Sequence, residues 1–189
     1  GLEKSLEIIT THFKNEPTLL VASARGNATD QLELILDKSA KGKNYLSSLN
    51  AFFKEQIVPA PSIDLSEERN ELEQLLLGVS LVGEYSPKIK AHVLAFGELI
   101  AVKTIAYIFN GQGLKAKAID ARFLIETQLE EDENQVNWSA TKQKVTNYFA
   151  KHNFKTLPIL YSGMWNKTDS TTNRLVVVVI TEVIPVHDS

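Results

Sequence analysis

A chain of 189 residues, 43% hydrophobic and 23% charged, can bury one sizeable core as a single globular domain. Its formal net charge of −3, from 20 Lys+Arg against 23 Asp+Glu, is too small for a nucleic-acid binder or a polybasic membrane binder. The absence of Cys excludes disulfides, thiolate catalysis and Cys-based zinc sites, and fits a reducing compartment, with the cytoplasm as the expected location.

The first residues, GLEKSLEII, carry acids at helical spacing in place of a secretory signal, with Leu2, Leu6, Ile9 and Phe13 along one face. No unbroken run of about eighteen apolar residues occurs, so neither export nor a membrane span is expected. After the Asn15-Glu16-Pro17 break, Thr18 to Ala22 reads as a buried strand. A loop of small and polar residues from Ser23 to Asp30 then leads into a helix through Leu32, Ile35 and Leu36, with Thr29 or Asp30 placed as its N-cap. A strand, a small-residue loop and a helix start form a ready anion or polar-ligand site, because free N–H groups and the positive helix end face the loop.

Further helices are expected from Lys43 to Ile57, from Ser66 through Val82, and from Ser86-Pro87 onward, where Ser caps and Pro takes the first helical position. The last of these is apolar on nearly every side: Val93, Phe96, Gly97, Ile100, Thr104 and Ile108 recur at three-and-four spacing, and Glu98 is a lone carboxylate among them. Asn110-Gly111-Gln112-Gly113 ends it, and Lys115 to Ile119 alternates as a short strand running into Asp120-Ala121-Arg122. The polar stretch Glu126 to Asn137 reads as a solvated loop. A helix is expected from Ser139 to Lys151, a Pro158-containing strand from Thr156 to Ser162, and a β-branched run from Leu175 to Ile184. Helices alternating with short apolar strands argue for an α/β domain with a largely parallel sheet between helices. In such a sheet Ser23 to Thr29, Asp120 to Arg122 and Ser162-Gly163 would lie beyond the strands' carboxyl ends, where ligands bind.

Two separated stretches, LLVASARGNATDQL at 19–32 and FGELIAVKTIAYIFNGQGLKAKAIDARFLI at 96–125, resemble the Ser-Ala loop and the Phe-Gly-Glu helix with its Asp-Ala-Arg strand end in aspartokinases, in the family's order. The resemblance implies the amino-acid kinase fold, a three-layer α/β/α sandwich. It also implies ATP- and Mg²⁺-dependent phosphorylation of the side-chain carboxylate of L-aspartate, the entry to aspartate-family amino-acid biosynthesis. On this reading Glu98 and Thr29 contact aspartate, Glu98 suiting the α-ammonium and Thr29 the carboxylate, with Ser23, Asp120 and Arg122 beside them. Ser162 and Gly163 stand where the family has a Thr-Gly near nucleotide or substrate. Residues 1–189 are expected to form one such domain, without the family's N-terminal Lys-Phe-Gly-Gly-Thr-Ser phosphate loop and its C-terminal nucleotide-binding half. Whether copies assemble into a homo-oligomer is left open.

Each residue also has a plainer role. Glu98 could be a core carboxylate satisfied by a lysine or backbone donor, Thr29 an N-cap, and Asp120 with Arg122 an ion pair that closes a strand end. The acidic run Glu130 to Glu133 suits a solvated surface better than a cation site, and no His residues share a metal-ligand spacing. The alternative function is a non-catalytic amino-acid-binding or regulatory module on the same fold.

Overall fold

The computed structural model describes residues 18–130, 133–151 and 176–183, together with Lys4, Glu7, Ile8 and Thr11, which are helical. The elements in order are β1 (Thr18–Ala22), α1 (Ala28–Ala40), α2 (Leu46–Gln56), α3 (Ser66–Val82), α4 (Pro87–Gly111) and β2 (Leu114–Ile119). A 3-10 turn over Ala121–Phe123, β3 (Thr127–Glu130), β4 (Glu133–Val136), α5 (Trp138–Lys151) and β5 (Val176–Val183) follow. The chain divides into two compact units. One holds α1 to α3 and α4 as far as Thr104; the other holds β1, the rest of α4 from Ile105, β2 to β4, α5 and β5.

In the helical unit the three-and-four spacing of the sequence becomes one core: Leu32, Ile35 and Leu36 of α1, Leu49 and Phe52 of α2, Leu72 and Leu76 of α3, and Val93, Phe96 and Ile100 of α4 are buried together. A buried hydroxyl ties two of these helices, as Ser39 Oγ donates to the Leu76 carbonyl at 2.5 Å. Helix α3 stops at Gly83, whose φ of +83° is left-handed and whose N–H donates to the Val79 carbonyl at 2.8 Å. Helix α4 then starts at Pro87, with Ser86 Oγ accepting from the Ile89 N–H at 3.3 Å. By length and composition α4 could cross a membrane, a feature the sequence pattern leaves unmarked, yet 67% of its most apolar stretch is buried inside the protein, as in a core helix.

Two polar links fix this unit. Glu68 on α3 is 3% exposed and pairs with Lys103 on α4, which also lies 3.7 Å from Glu67. Tyr85, in the turn between α3 and α4, donates its hydroxyl to Asp37 Oδ1 at 2.5 Å. That bond holds the Asp37 carboxyl below its usual range and pushes the Tyr85 phenol up to about 12.

The other unit corrects the expectation of a parallel-sheet α/β/α sandwich. The chain is mostly helical, and every strand pairing among the described residues is antiparallel. The sheet order is β1-β5-β2, with Thr18 opposite Ile180 and Leu114 opposite Val183, and a register shift between Lys115 and Ala116. The β-branched run after residue 175 thus separates β1 from β2, which run the same way without being neighbours. Glu126 to Asn137, expected as a loop, contains the antiparallel pair β3–β4, Thr127 facing Val136. Asn110 splices α4 to β2: its side chain donates to the Ala116 carbonyl at 2.9 Å and accepts from the Ala116 N–H at 3.0 Å. Val145 and Phe149 of α5 are buried with Ile119, Ala121 and Leu124. The expected N-terminal helix contacts and the Pro158 strand lie outside the described residues.

Removing one partner of a buried ion pair leaves an uncompensated charge. With Lys103 a third exposed, Lys103→Met is therefore expected to lower unfolding stability by about 1–3 kcal/mol, and Glu68→Gln by less, in urea titrations. An unchanged Lys103→Met midpoint would show that other donors carry Glu68. For Tyr85 and Asp37 the signs are opposite. The raised Tyr85 value gives stability that is complete below its ordinary 10.0 and lost as pH climbs toward about 12. The lowered Asp37 value gives stability present above its ordinary 3.8 and lost as pH falls below it. The stability gap between wild type and Tyr85→Phe should be flat from about pH 5 to pH 9 and shrink at both ends. A gap independent of pH at both extremes would remove this bond from the unit's stability.

Candidate functional site

Ser23, Thr29 and Glu98 belong to the helical unit. Ser23 is exposed in the loop after β1, and Thr29 is half-buried in the first turn of α1. Helix α1 begins at Ala28 with Asn27 as N-cap, and Asn27 makes no side-chain capping bond. Thr29 is therefore inside the helix and does not cap it, because the Ala28 N–H already donates to the Arg25 carbonyl at 3.1 Å and the Gln31 N–H to the Asn27 carbonyl at 3.0 Å.

Glu98 is 1% exposed on α4. The residue before it explains how this helix reaches the loop. A Cβ built on Gly97 would lie 3.1 Å from Ala24 Cβ, 3.5 Å from Leu32 Cδ1 and 3.6 Å from Ala28 Cβ. Three small residues, Ala24, Ala28 and Gly97, thus let the backbone of α4 press on the junction between the loop and α1. Glu98 and Thr29 each stand one residue beyond members of that contact. Of the three lysines on the same helix, Lys103 is engaged by Glu68 and Glu67, and Lys90 pairs with Glu33 at 2.5 Å.

Asp120 and Arg122 belong to the other unit. Asp120 Oδ1 accepts from the Arg122 N–H at 2.9 Å, and the guanidinium closes on both carboxylate oxygens, Nε to Oδ1 at 3.0 Å and to Oδ2 at 2.8 Å, and a terminal nitrogen to Oδ2 at 2.5 Å. This two-residue clasp caps the 3-10 turn at the end of β2, the plainer of the two roles that the sequence allows. Ser162 and Gly163 lie outside the described residues. Among the described residues no three His, Asp or Glu side chains cluster as a metal site.

A groove of about 720 Å³ also lies in the helical unit, between the C-terminal half of α3 and the start of α4. Leu75, Val79, Val82 and Ile89 give it apolar walls, and Glu71 and Glu84 are its acidic groups. None of the site residues named from the sequence lines it.

No family model matches the sequence. A stretch of 130 residues is 28% identical to Aspartokinase 1, chloroplastic, of Arabidopsis thaliana, covering 64% of this chain and 22% of that protein. The chain thus spans about a fifth of the length of that curated relative. At this level the similarity points to an aspartokinase-related region and carries no specific catalytic activity.

Gly97→Ala puts a methyl group against Ala24 Cβ, with backbone behind both, and overpacking of this kind costs about 1–3 kcal/mol. Ala24→Gly in the same chain removes the atom it strikes, so the double variant is expected to recover most of the loss. Additive destabilisation in the double-mutant cycle would mean that the two positions do not touch.

Proposed function

We propose that the helical unit carries an amino-acid site of the aspartokinase type, in which Glu98 receives the α-ammonium and Thr29 a carboxylate of L-aspartate. The supporting observation is the contact of Gly97 with Ala24 and Ala28, which sets the helix bearing a buried carboxylate against the loop–helix junction bearing Thr29. A carboxylate held out of water interacts with a cation more strongly than an exposed one does. The positive end of the α1 dipole adds favourable character beside the Thr29 hydroxyl. The similarity to a plant aspartokinase supports the choice of aspartate among amino acids.

The activity that goes with this reading is phosphoryl transfer from ATP to the aspartate side-chain carboxylate. The alternative is a domain that binds the amino acid without transferring phosphate. Aspartate-dependent ADP release in a coupled assay separates the two.

Glu98→Gln keeps the shape and removes the charge. Loss of one member of a desolvated charge pair costs about 2–5 kcal/mol, so aspartate should bind at least about 30-fold more weakly in calorimetry. The melting temperature is the control, since a ligand contact is lost from binding without a matching loss of stability. Thr29→Val should weaken binding as well and leave the fold intact. A lower melting temperature with unchanged aspartate affinity would make Glu98 structural and remove the site.

A further inference from the structure

The loop that carries Ser23 leads through Arg25, and the guanidinium of Arg25 reaches the C-terminal end of α2. One terminal nitrogen donates to the Gln56 carbonyl at 3.3 Å and the other to the Glu55 carbonyl at 3.3 Å. These are among the last carbonyls of α2, which ends at Gln56, and so belong to the set that a helix leaves without partners inside itself. A cation there also meets the negative end of the helix dipole. A second bond runs parallel to the first pair, as Gln31 Nε2 in α1 donates to Glu55 Oε2 at 2.7 Å. The Arg25 backbone completes the arrangement, since its carbonyl accepts the Ala28 N–H at 3.1 Å and starts α1.

We propose that Arg25 is a positioning residue for the amino-acid site: its planar fork across the end of α2 fixes the Ser23 to Thr29 loop in the conformation that presents Thr29. This rests on the reading of Glu98 and Thr29 as ligand contacts. The guanidinium is committed to backbone carbonyls, so Arg25 acts on a ligand through the loop and not by direct charge. A lysine offers one strongly hydrated point donor in place of a fork and can replace it only in part. The contribution belongs to preorganisation: a loop already in its bound shape loses less freedom on binding.

The test uses Arg25→Ala and Arg25→Lys on this chain, with three measurements. Amide hydrogen exchange at Ala28 should accelerate about tenfold in Arg25→Ala, because the turn anchoring that N–H is released. L-aspartate affinity should fall about five- to tenfold, with Arg25→Lys in between, while the urea midpoint of the helical core changes little. Unchanged exchange at Ala28 overturns the proposal whatever happens to binding. An affinity loss that merely tracks a lower urea midpoint, or that Arg25→Lys does not relieve at all, also overturns it and leaves Arg25 a stability residue. Should Arg25→Ala fail to fold, Arg25→Lys must still show intermediate exchange and affinity. If wild type binds no aspartate, the Glu98 and Thr29 reading fails, and exchange at Ala28 still decides whether Arg25 holds the loop.

Discussion

Where α4 crosses the start of α1, a side chain at position 97 would press on its neighbours. Packed helices commonly keep their axes about 8–10 Å apart, a spacing set by the residues between them. At this crossing the residues are Gly97, Ala24 and Ala28, and even a single methyl on Gly97 would come within 3.1 Å of Ala24. The close approach does two things. It accompanies the burial of Phe96 and Leu32 in one core, and it sets the register of α4 against the loop, since sliding α4 by one residue would bring the much larger Phe96 or Glu98 to the place glycine occupies. The polar residues next to the crossing inherit that register from the packing.

Helix α4 carries its few polar groups in different ways. Thr104 returns its hydroxyl to the Ile100 carbonyl at 2.7 Å, within its own helix. Lys103 reaches across to Glu68, so that a carboxylate 3% exposed has a cation from the neighbouring helix. The pair shows how this unit holds a buried acid for structural purposes: charge on charge, between two helices whose relative position it helps to fix. Glu98, at 1% exposure and five residues before Lys103, lies on another face of α4, next to the glycine crossing. Its position next to the loop sets it apart from Glu68 more than its burial does.

The helices are readable because a period of 3.6 residues survives in the sequence wherever one face is buried, as in Leu32, Ile35 and Leu36 or Leu72, Leu76 and Val79. Ser86-Pro87 and Gly83 are readable for local reasons, a cap with a preset φ and a left-handed stop. Strand direction is not, because alternation of side chains is the same in parallel and antiparallel ladders. Nothing in Thr18 to Ala22 or Leu114 to Ile119 reveals that the run after residue 175 pairs between them. The β3–β4 pair is hidden for a related reason, since its polar residues show no apolar alternation. At the site, Glu98 stands out as an acid in an apolar helix, while Ser23 and Thr29 come from the resemblance. Asn27 and Thr29 are both residue types that cap helices, and only the path of the backbone chooses between them. Arg25 is silent in the sequence because its acceptors are main-chain carbonyls about thirty residues on, which no side-chain pattern encodes.

Recognising an amino acid and transferring phosphate make different physical demands, and the two can be separated along this chain. Recognition asks for an acid placed for an ammonium, and for a hydroxyl with helix N–H groups placed for a carboxylate. The groups proposed for this, Glu98, Thr29 and the start of α1, lie between Ser23 and Glu98, within one compact unit. Phosphoryl transfer asks for something else: positive charge and oriented donors around a transferring group, which serve as catalysts because they stay uncommitted until charge develops. Arg122 is closed in a clasp with Asp120, Lys103 is matched by Glu68 and Glu67, and Arg25 grips the end of α2. A cation already engaged in the resting fold must give up its partner before it can stabilise a transition state, and that exchange subtracts from what it contributes. The cations of Arg25, Lys103 and Arg122 are therefore arranged to hold elements in place.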